Sequence, residues 1–512
     1  MSGFNAFLIA LTVIVPFIML GVCVYILINF QHPEDKNQAW GTKIIVLLGL
    51  LLAMFSVMML PLDVGNTQSC PDDEPLSECD QTLPMETLWY VVLLLSAVMI
   101  FIVIPFNLFL YEADSDLTGW EKIRSASMYS IATLVVIGLI IGLAYGIAGY
   151  LQVSVDILQS GLTDVNQSLN VADISSCVLV DGSNEQLCDA ESPSILTADL
   201  KTRASFPVYV IAVVSVVSWF LFSIFAGVGL VALPLDWIRA FIYRPKTVIS
   251  RSEYVRRATE LGERAAMLKE RIVDLKRDQT KKSMMKTREV RKKTRALQKD
   301  IALLEEDERT LEESYPQGEN PDYKWVAIVI MYILKLVGGI LAAILSVVLI
   351  VHIILYMLIS PPVSPVLNTV FIDLDSAFGL FGTLAFGIVS YYMILVTMKG
   401  NLKFGLRFLF GAVHPMRVGG TLMSSFLFNV ALILLSTFAI LQFSATAYSE
   451  YANNTAIFDI FTVETNNMQG IKELYTKNVF LYMLLSFIGL TSLYLVVKGR
   501  PGVKKKKNPY AM

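Results

Sequence analysis

The chain has 512 residues, 55 % of them hydrophobic and 17 % charged, and its net charge is −3. Average soluble proteins carry nearer a quarter charged residues, and here the apolar residues are gathered into long runs almost free of charge. These figures exclude a soluble globular protein, a disordered chain and a small disulfide scaffold, and they remove nucleic acid as a partner.

The first apolar run, Phe4–Phe30, exceeds the ~20 residues needed to cross the hydrocarbon core. It lacks a basic leader and is longer than the ~7–15-residue apolar core of a signal peptide, so it reads as a permanent span. Eight more runs follow: Ile44–Leu62, Leu88–Tyr111, Ser127–Leu151, Pro207–Leu235, Val326–Ile359, Ala377–Met398, Gly419–Phe443 and Val479–Val497. Barrel strands would alternate apolar and polar residues over ~10-residue segments instead. The expectation is an all-α polytopic membrane protein with nine transmembrane helices.

Lysine and arginine orient it. Alternate loops hold only Lys201, Arg203, Lys472 and Lys477, four in all, whereas the other set holds 36, of which 22 lie in 236–324. This asymmetry predicts an exoplasmic N-terminus and a cytosolic C-terminus. Cys70 and Cys79 share one predicted outer loop and Cys177 and Cys188 another, while Cys23 lies inside the first run. Disulfides persist in oxidising compartments, so these four are candidate disulfide cysteines, with pairing within each loop favoured among three connectivities. The glycosylation sequons at Asn166 and Asn453 also fall outside. Together they predict an integral membrane protein of the secretory or endolysosomal pathway or the plasma membrane.

Four regions result: residues 1–243 with five spans, a cytosolic segment 244–324, residues 325–498 with four spans, and a basic tail 499–512. Segment 244–324 holds 21 basic and 16 acidic residues. Leu261, Leu268 and Leu275 recur at seven, as a second stripe does at Leu297, Ile301, Leu304 and Leu311. Two helices, about 251–278 and 286–314, are predicted as an antiparallel hairpin. It either stiffens the cytosolic face or docks a cytosolic partner at 251–314, and its basic run Lys281–Arg295 suits anionic lipid.

Inside the runs, small residues at a spacing of four (Gly138, Gly142, Gly146; Gly338, Ala342, Ser346) fit close helix packing or a homodimer interface. Candidate intramembrane polar sites are Lys335, His352, Asn107 and Asn429. Lys335 either snorkels at the inner boundary or meets a buried acid; His352 is either a packing residue or a proton or ligand site. Interhelical hydrogen bonds account for Asn107 and Asn429. Pro16 and Pro105 are expected to kink their helices. Two segments read as non-helical or re-entrant: 360–376, with prolines at 361, 362 and 365, and 404–418, which either dips into the interface or forms an amphipathic connector.

No Walker A loop, His-Glu-x-x-His or Gly-x-Ser-x-Gly occurs. Gly227-Val228-Gly229-Leu230-Val231-Ala232 matches a dinucleotide fingerprint formally, but it lies within a span with no strand before it. Asp63 is predicted outside and Asp236 inside, too far apart for a catalytic dyad. No enzyme, metal or cofactor is expected.

Local motifs carry more. They are Asn29-Phe30-Gln31-His32-Pro33-Glu34-Asp35-Lys36, Met59-Leu60-Pro61-Leu62-Asp63-Val64, Arg244-Pro245-Lys246-Thr247-Val248, Tyr315-Pro316-Gln317-Gly318-Glu319, Pro361-Pro362-Val363-Ser364-Pro365 and His414-Pro415-Met416. Together they resemble the LIMR family, the lipocalin-interacting membrane receptor and limb-region-1-like proteins, closest to its plant and protist branch. That resemblance implies a receptor or transport-associated protein that handles a lipophilic ligand or carrier protein in endocytosis or transport. It also implies structural kinship with a nine-span, dimeric retinol receptor with a lipid-open cavity. It transfers no catalytic residues. The competing expectation is a membrane scaffold that recruits trafficking or signalling partners through its cytosolic hairpin.

Overall fold

A computed structural model describes residues 6–67, 83–113, 116, 118–158, 177–179, 186–188, 195–281, 287–316, 321–404, 406–408, 411–413, 416 and 418–497. Cys70, Cys79, Asn166 and the basic tail 499–512 lie outside these residues. The backbone is described at Cys177 and Cys188 but the side chains are not. Two compact units divide the chain, Met1–Gly229 with Leu349–Met512, and Leu230–Val348.

The elements run in order α1 (Ala6–Phe30), α2 (Trp40–Thr67), α3 (Met85–Val98), a π-helical turn Met99–Val103, α4 (Ile104–Glu112) and α5 (Gly119–Ala148). Then come strands β1 (Tyr150–Leu158), β2 (Cys177–Leu179), β3 (Gln186–Cys188) and β4 (Ile195–Arg203), followed by α6 (Phe206–Ile242), α7 (Arg251–Lys281), α8 (Thr287–Ser314) and α9 (Pro321–His352). A second π-helical turn, Ile353–Leu358, leads to α10 (Val366–Ala377), α11 (Phe381–Phe404), β5 (Leu406–Phe408), β6 (Gly411–Val413) and α12 (Met423–Ala447). The chain closes with α13 (Ala456–Phe458), a third π-helical turn Asp459–Thr465, α14 (Lys472–Thr476) and α15 (Val479–Val497). Among the described residues nine helices are long and apolar enough to cross a membrane, and they coincide with the nine runs. The helix ends that the charge bias assigns to the outside are called outer ends below.

In the first unit α12 forms the centre, packed by α2, α11, α3 and α4. It is buried over almost its whole length. Several of its polar side chains are tolerated because they turn back onto the backbone: Ser436 Oγ donates to Leu432 O at 2.7 Å, and Thr446 Oγ1 to Gln442 O at 2.9 Å. Pro105 has no N–H to donate, and a π-helical turn lies directly before it, with Ile104 N donating to Met99 O.

The structure adds detail to three readings. Segment 360–376 is not non-helical throughout: its prolines cluster before 366, and α10 starts behind Pro365, which sits at its N-cap. Within segment 404–418, β5 and β6 pair antiparallel with Arg407 opposite Ala412, a short hairpin that the sequence reading did not specify. The all-α expectation holds for the class and lacks only short strands such as the nine-residue ribbon β1–β4, with Tyr150 opposite Arg203 and Leu158 opposite Ile195. The strict alternation Leu151-Gln152-Val153-Ser154-Val155-Asp156-Ile157 is the strand signal it overlooked. The ribbon's root is closed by Ala204, Val208, Tyr209, Ala212 and Met468, a small buried cluster against Tyr145 and Leu151.

Within the second unit, α7 and α8 pack antiparallel. Tyr254 stacks on Tyr315 at 4.7 Å, Ile249 N donates to Ser314 O, and Arg264 reaches Asp307 at 3.4 Å. Arg256 and Arg257 bracket Glu253 in the first turn of α7 and hold its carboxyl down to about 2. Gly338 and Gly339 of α9 let Trp237 and Ile238 of α6 approach, since a methyl at either would lie within 3.0 Å of them. That is the packing role expected of small residues. Gly138, Gly142 and Gly146 of α5 differ: a methyl at each would meet nothing within 4 Å.

Candidate functional site

A pocket of about 220 Å³ opens in the first unit at the outer ends of α6, α12 and α15. Trp219 comes from α6, Met357 from the second π-helical turn, Gln442 and Thr446 from α12, and Asn466, Asn467, Tyr475, Asn478 and Phe480 from the closing segment. Among the described residues no charged side chain lines it.

Gln442 organises the pocket. It is 1 % exposed, and its Oε1 accepts from Trp219 Nε1 at 2.7 Å and from Tyr475 Oη at 3.1 Å. Its Nε2 donates to Asn466 Oδ1 at 2.6 Å. Burial in this wall pushes the Tyr475 phenol well above its ordinary range. Phe480 stacks on Trp219 at 5.5 Å and closes the aromatic side. Asn478 occupies the left-handed region at φ 53, which asparagine tolerates, and its carbonyl starts α15 by accepting from Tyr482 N at 3.1 Å. The wall is tied to the ribbon: Gln152 N donates to Asn467 O and Gln469 N to Tyr150 O, both at 2.8 Å, and Lys472 Nζ donates to Gln152 O at 2.9 Å.

None of the intramembrane residues singled out from sequence lines this pocket. His352 is fully buried between the rings of Tyr356 and Tyr448, at 5.1 and 5.6 Å. Its Nε2 lies 2.8 Å from Ala447 O, and its Nδ1 accepts from Leu367 N at 3.4 Å. One nitrogen must donate and the other accept, which is the pattern of a neutral ring. Lys335 is half-buried in the second unit, with its ammonium 4.8 Å over the Tyr332 ring and within the field of Glu313. Tyr332 itself donates to Glu313, so the acid beside Lys335 comes from α8. Asn429 Oδ1 accepts from Asn401 Nδ2 at 3.2 Å, across α12 and α11. Asn107 makes no such bond among the described residues; it donates to Val103 O of its own helix at 2.8 Å, beside the π-helical turn. Cys23 is free and buried, and burial in the first span accounts for it.

Sequence reasoning passed over Gln442, Trp219, Asn466 and Tyr475. A signal existed for the first, since Gln442 is the one glutamine in the nine apolar runs. Reasoning from sequence also missed the roles of three acids, each of which caps a helical start. Asp63, 1 % exposed, accepts from Trp89 Nε1 at 2.7 Å and from Ile457 N at 3.0 Å. Asp35 accepts from Tyr111 Oη at 2.9 Å and from Met423 N at 3.1 Å, and Asp375 accepts from Gly382 N at 2.6 Å. Carboxylates suit helix N-termini, where unpaired N–H groups converge.

The helices, the buried caps and the outer-end pocket define a multi-pass helical membrane protein. The family model for LMBR1-like membrane proteins matches residues 6–309 and 245–496. A LIMR family protein of Arabidopsis thaliana is 42 % identical over 98 % of this chain and 97 % of its own length. A LIMR family protein of Oryza sativa subsp. japonica is 41 % identical over the same shares, and one of Dictyostelium discoideum is 33 % identical over 97 % and 99 %. The chain belongs to the LIMR family of LMBR1-like membrane proteins. No solved structure matches it, so the expected kinship with a retinol receptor is not carried by that comparison.

Proposed function

We propose that this protein is a membrane receptor or transport-associated protein whose ligand enters from the outer side. The observation that carries this reading is the pocket at the outer ends of α6, α12 and α15, with aromatic side chains and carboxamides converging on one space. Such a lining, largely apolar with a few placed polar groups, is what small-molecule sites use. The hydrogen bonds from Gln152, Gln469 and Lys472 supply a second support, since they join the pocket wall to the outer ribbon on which a carrier protein would land. The reading involves no chemical step; the ligand is bound and passed on. It places the protein in the plasma membrane or the endolysosomal system, with the α7–α8 hairpin in the cytosol. Mass spectrometry on the full chain extracted in its native lipid tests it. A small molecule enriched over bulk lipid, and lost on Gln442→Leu, is the expected result; bulk lipid alone would overturn the reading.

A further inference from the structure

The chain Trp219–Gln442–Asn466 has a fixed polarity. An indole N–H can only donate, so the Gln442 oxygen faces Trp219 and its NH2 faces Asn466. Asn466 must then turn its own oxygen to Gln442, which leaves the Asn466 NH2 without a partner among the described residues. One N–H of the buried Gln442 is likewise unassigned. Beside them one N–H of Asn467 goes to Val463 O at 2.8 Å, and its oxygen remains as an acceptor. The pocket thus offers several neutral donors, together with neutral acceptors in the Asn467 oxygen and the hydroxyls of Thr446 and Thr476.

Three ligand classes fit poorly. An ion would be buried with no counter-charge in the wall. A plain hydrocarbon would leave the carboxamides unpaired. A planar aromatic would find the indole face already covered, by Phe480 stacked at 5.5 Å and by Phe222 and Phe443 edge-on. Hydroxyl groups both donate and accept, and match what remains.

We infer that the pocket takes an uncharged, oxygen-rich group, a sugar ring or compact polyol, held by Asn466 Nδ2 and Gln442 Nε2 on its oxygens and by Asn467 Oδ1 on a hydroxyl. This rests on the receptor reading above. The volume of about 220 Å³ lies below the roughly 300–1,000 Å³ of drug-sized sites and suits one ring. Such a ring reaches the outer ends of the helices either as a free sugar or as the headgroup of a glycolipid.

The test uses the full chain in nanodiscs, with retained lipid read by native mass spectrometry. The probes are monoglycosyl diacylglycerol, unsubstituted diacylglycerol and anionic phosphatidylglycerol, with methyl glucoside as a soluble competitor. Retention of the glycosyl lipid at least about tenfold over the other two is expected. Displacement by methyl glucoside assigns the free sugar, and retention without displacement assigns the headgroup; both support the inference. The variant Asn466→Asp keeps the oxygen that Gln442 donates to and removes both N–H donors, so retention should fall about tenfold. If that variant does not fold, Asn467→Ala, which removes the acceptor assigned to a sugar hydroxyl, should also weaken retention. Equal retention of the three lipids, or retention unchanged in the variants, overturns the inference. If a non-sugar molecule instead copurifies and is lost on Gln442→Leu, the sugar class fails and the receptor reading stands.

Discussion

Single side chains settle several questions that composition leaves open. Asp63 is a buried carboxylate whose two donors, Trp89 and Ile457, sit 26 and 394 positions away. Replacing it by leucine leaves both N–H groups buried without an acceptor, at a cost of ~1–3 kcal/mol each. Asp63→Leu is therefore expected to lower the melting temperature in detergent sharply, and an unchanged melt would show that the cap does not hold the outer segment. Tyr448 presents the opposite case. Its ring is fully buried and stacked on His352, yet its hydroxyl has no hydrogen-bond partner among the described residues. Tyr448→Phe keeps the ring and removes a stranded polar group, so it should be neutral or stabilising by about 1 kcal/mol. A clear loss of stability would mean that the hydroxyl has a partner, such as a bound water. Thr118 and Glu121 form a capping box that is readable directly as Thr-x-x-Glu. The cap supplied by Asp63 is not readable that way, because nothing local links it to residue 457.

At the scale of elements, the formal dinucleotide fingerprint acquires a physical meaning. Gly229 and Gly400 are where α6 and α11 cross: a methyl on Gly229 would lie 1.9 Å from Val396 O, and one on Gly400 1.8 Å from Phe225 O. Both obstacles are backbone, so no rotamer change relieves them. Gly400→Ala should separate the two helices and cost about 1–3 kcal/mol, read as a lower melting temperature. Gly138→Ala in α5, where a methyl meets nothing, serves as the matched control and should leave the melt in place. The third π-helical turn carries a different prediction. Burial raises Glu464 above the ordinary carboxylate range, and Glu86 and Asp459 add repulsion, while the Tyr90 hydroxyl donates to it at 3.1 Å and opposes the shift. A carboxyl whose pKa is raised by folding holds its proton more tightly folded than unfolded. The contribution to the segment's stability is then complete below the unfolded pKa and is lost as pH rises from there through the folded pKa. Hydrogen exchange at 459–467, corrected for intrinsic rates, should be slower at about pH 5 than at about pH 7. Glu464→Gln should flatten that difference; if the dependence persists in the variant, Glu464 is not its source.

For the whole molecule, the nine spans were legible because each is a property of a short window of sequence, long and apolar. The α7–α8 hairpin was legible for the same reason, through its seven-residue leucine spacing. The pocket was not, because Trp219 and Gln442 are 223 positions apart and Gln442 and Asn466 24 apart, and only the fold makes them neighbours. Between these extremes stand Cys177 and Cys188. Their spacing suggested a pair, and β2 and β3 place them directly opposite each other in register. Non-reducing peptide mapping should recover a Cys177–Cys188 peptide; recovery of either cysteine bonded into the 70–79 loop would reject that pairing.

Orientation is the remaining property of the whole chain, and the 36-to-4 division of Lys and Arg makes it testable. Asn453 is exposed, on the side that carries only four of those charges. Protein expressed in a eukaryotic host should lose mass on treatment with an amide-cleaving glycosidase, and Asn453→Gln should remove at least part of that loss. In sealed vesicles with the cytosolic face outward, added trypsin should cut within 251–314, where basic residues are dense, and leave the ribbon 150–203 intact. Both results follow from one cause, the retention of positive loops on the cytosolic side. A hairpin protected from trypsin together with an accessible ribbon would invert the topology, and would move the pocket at the ends of α6, α12 and α15 to the cytosolic side.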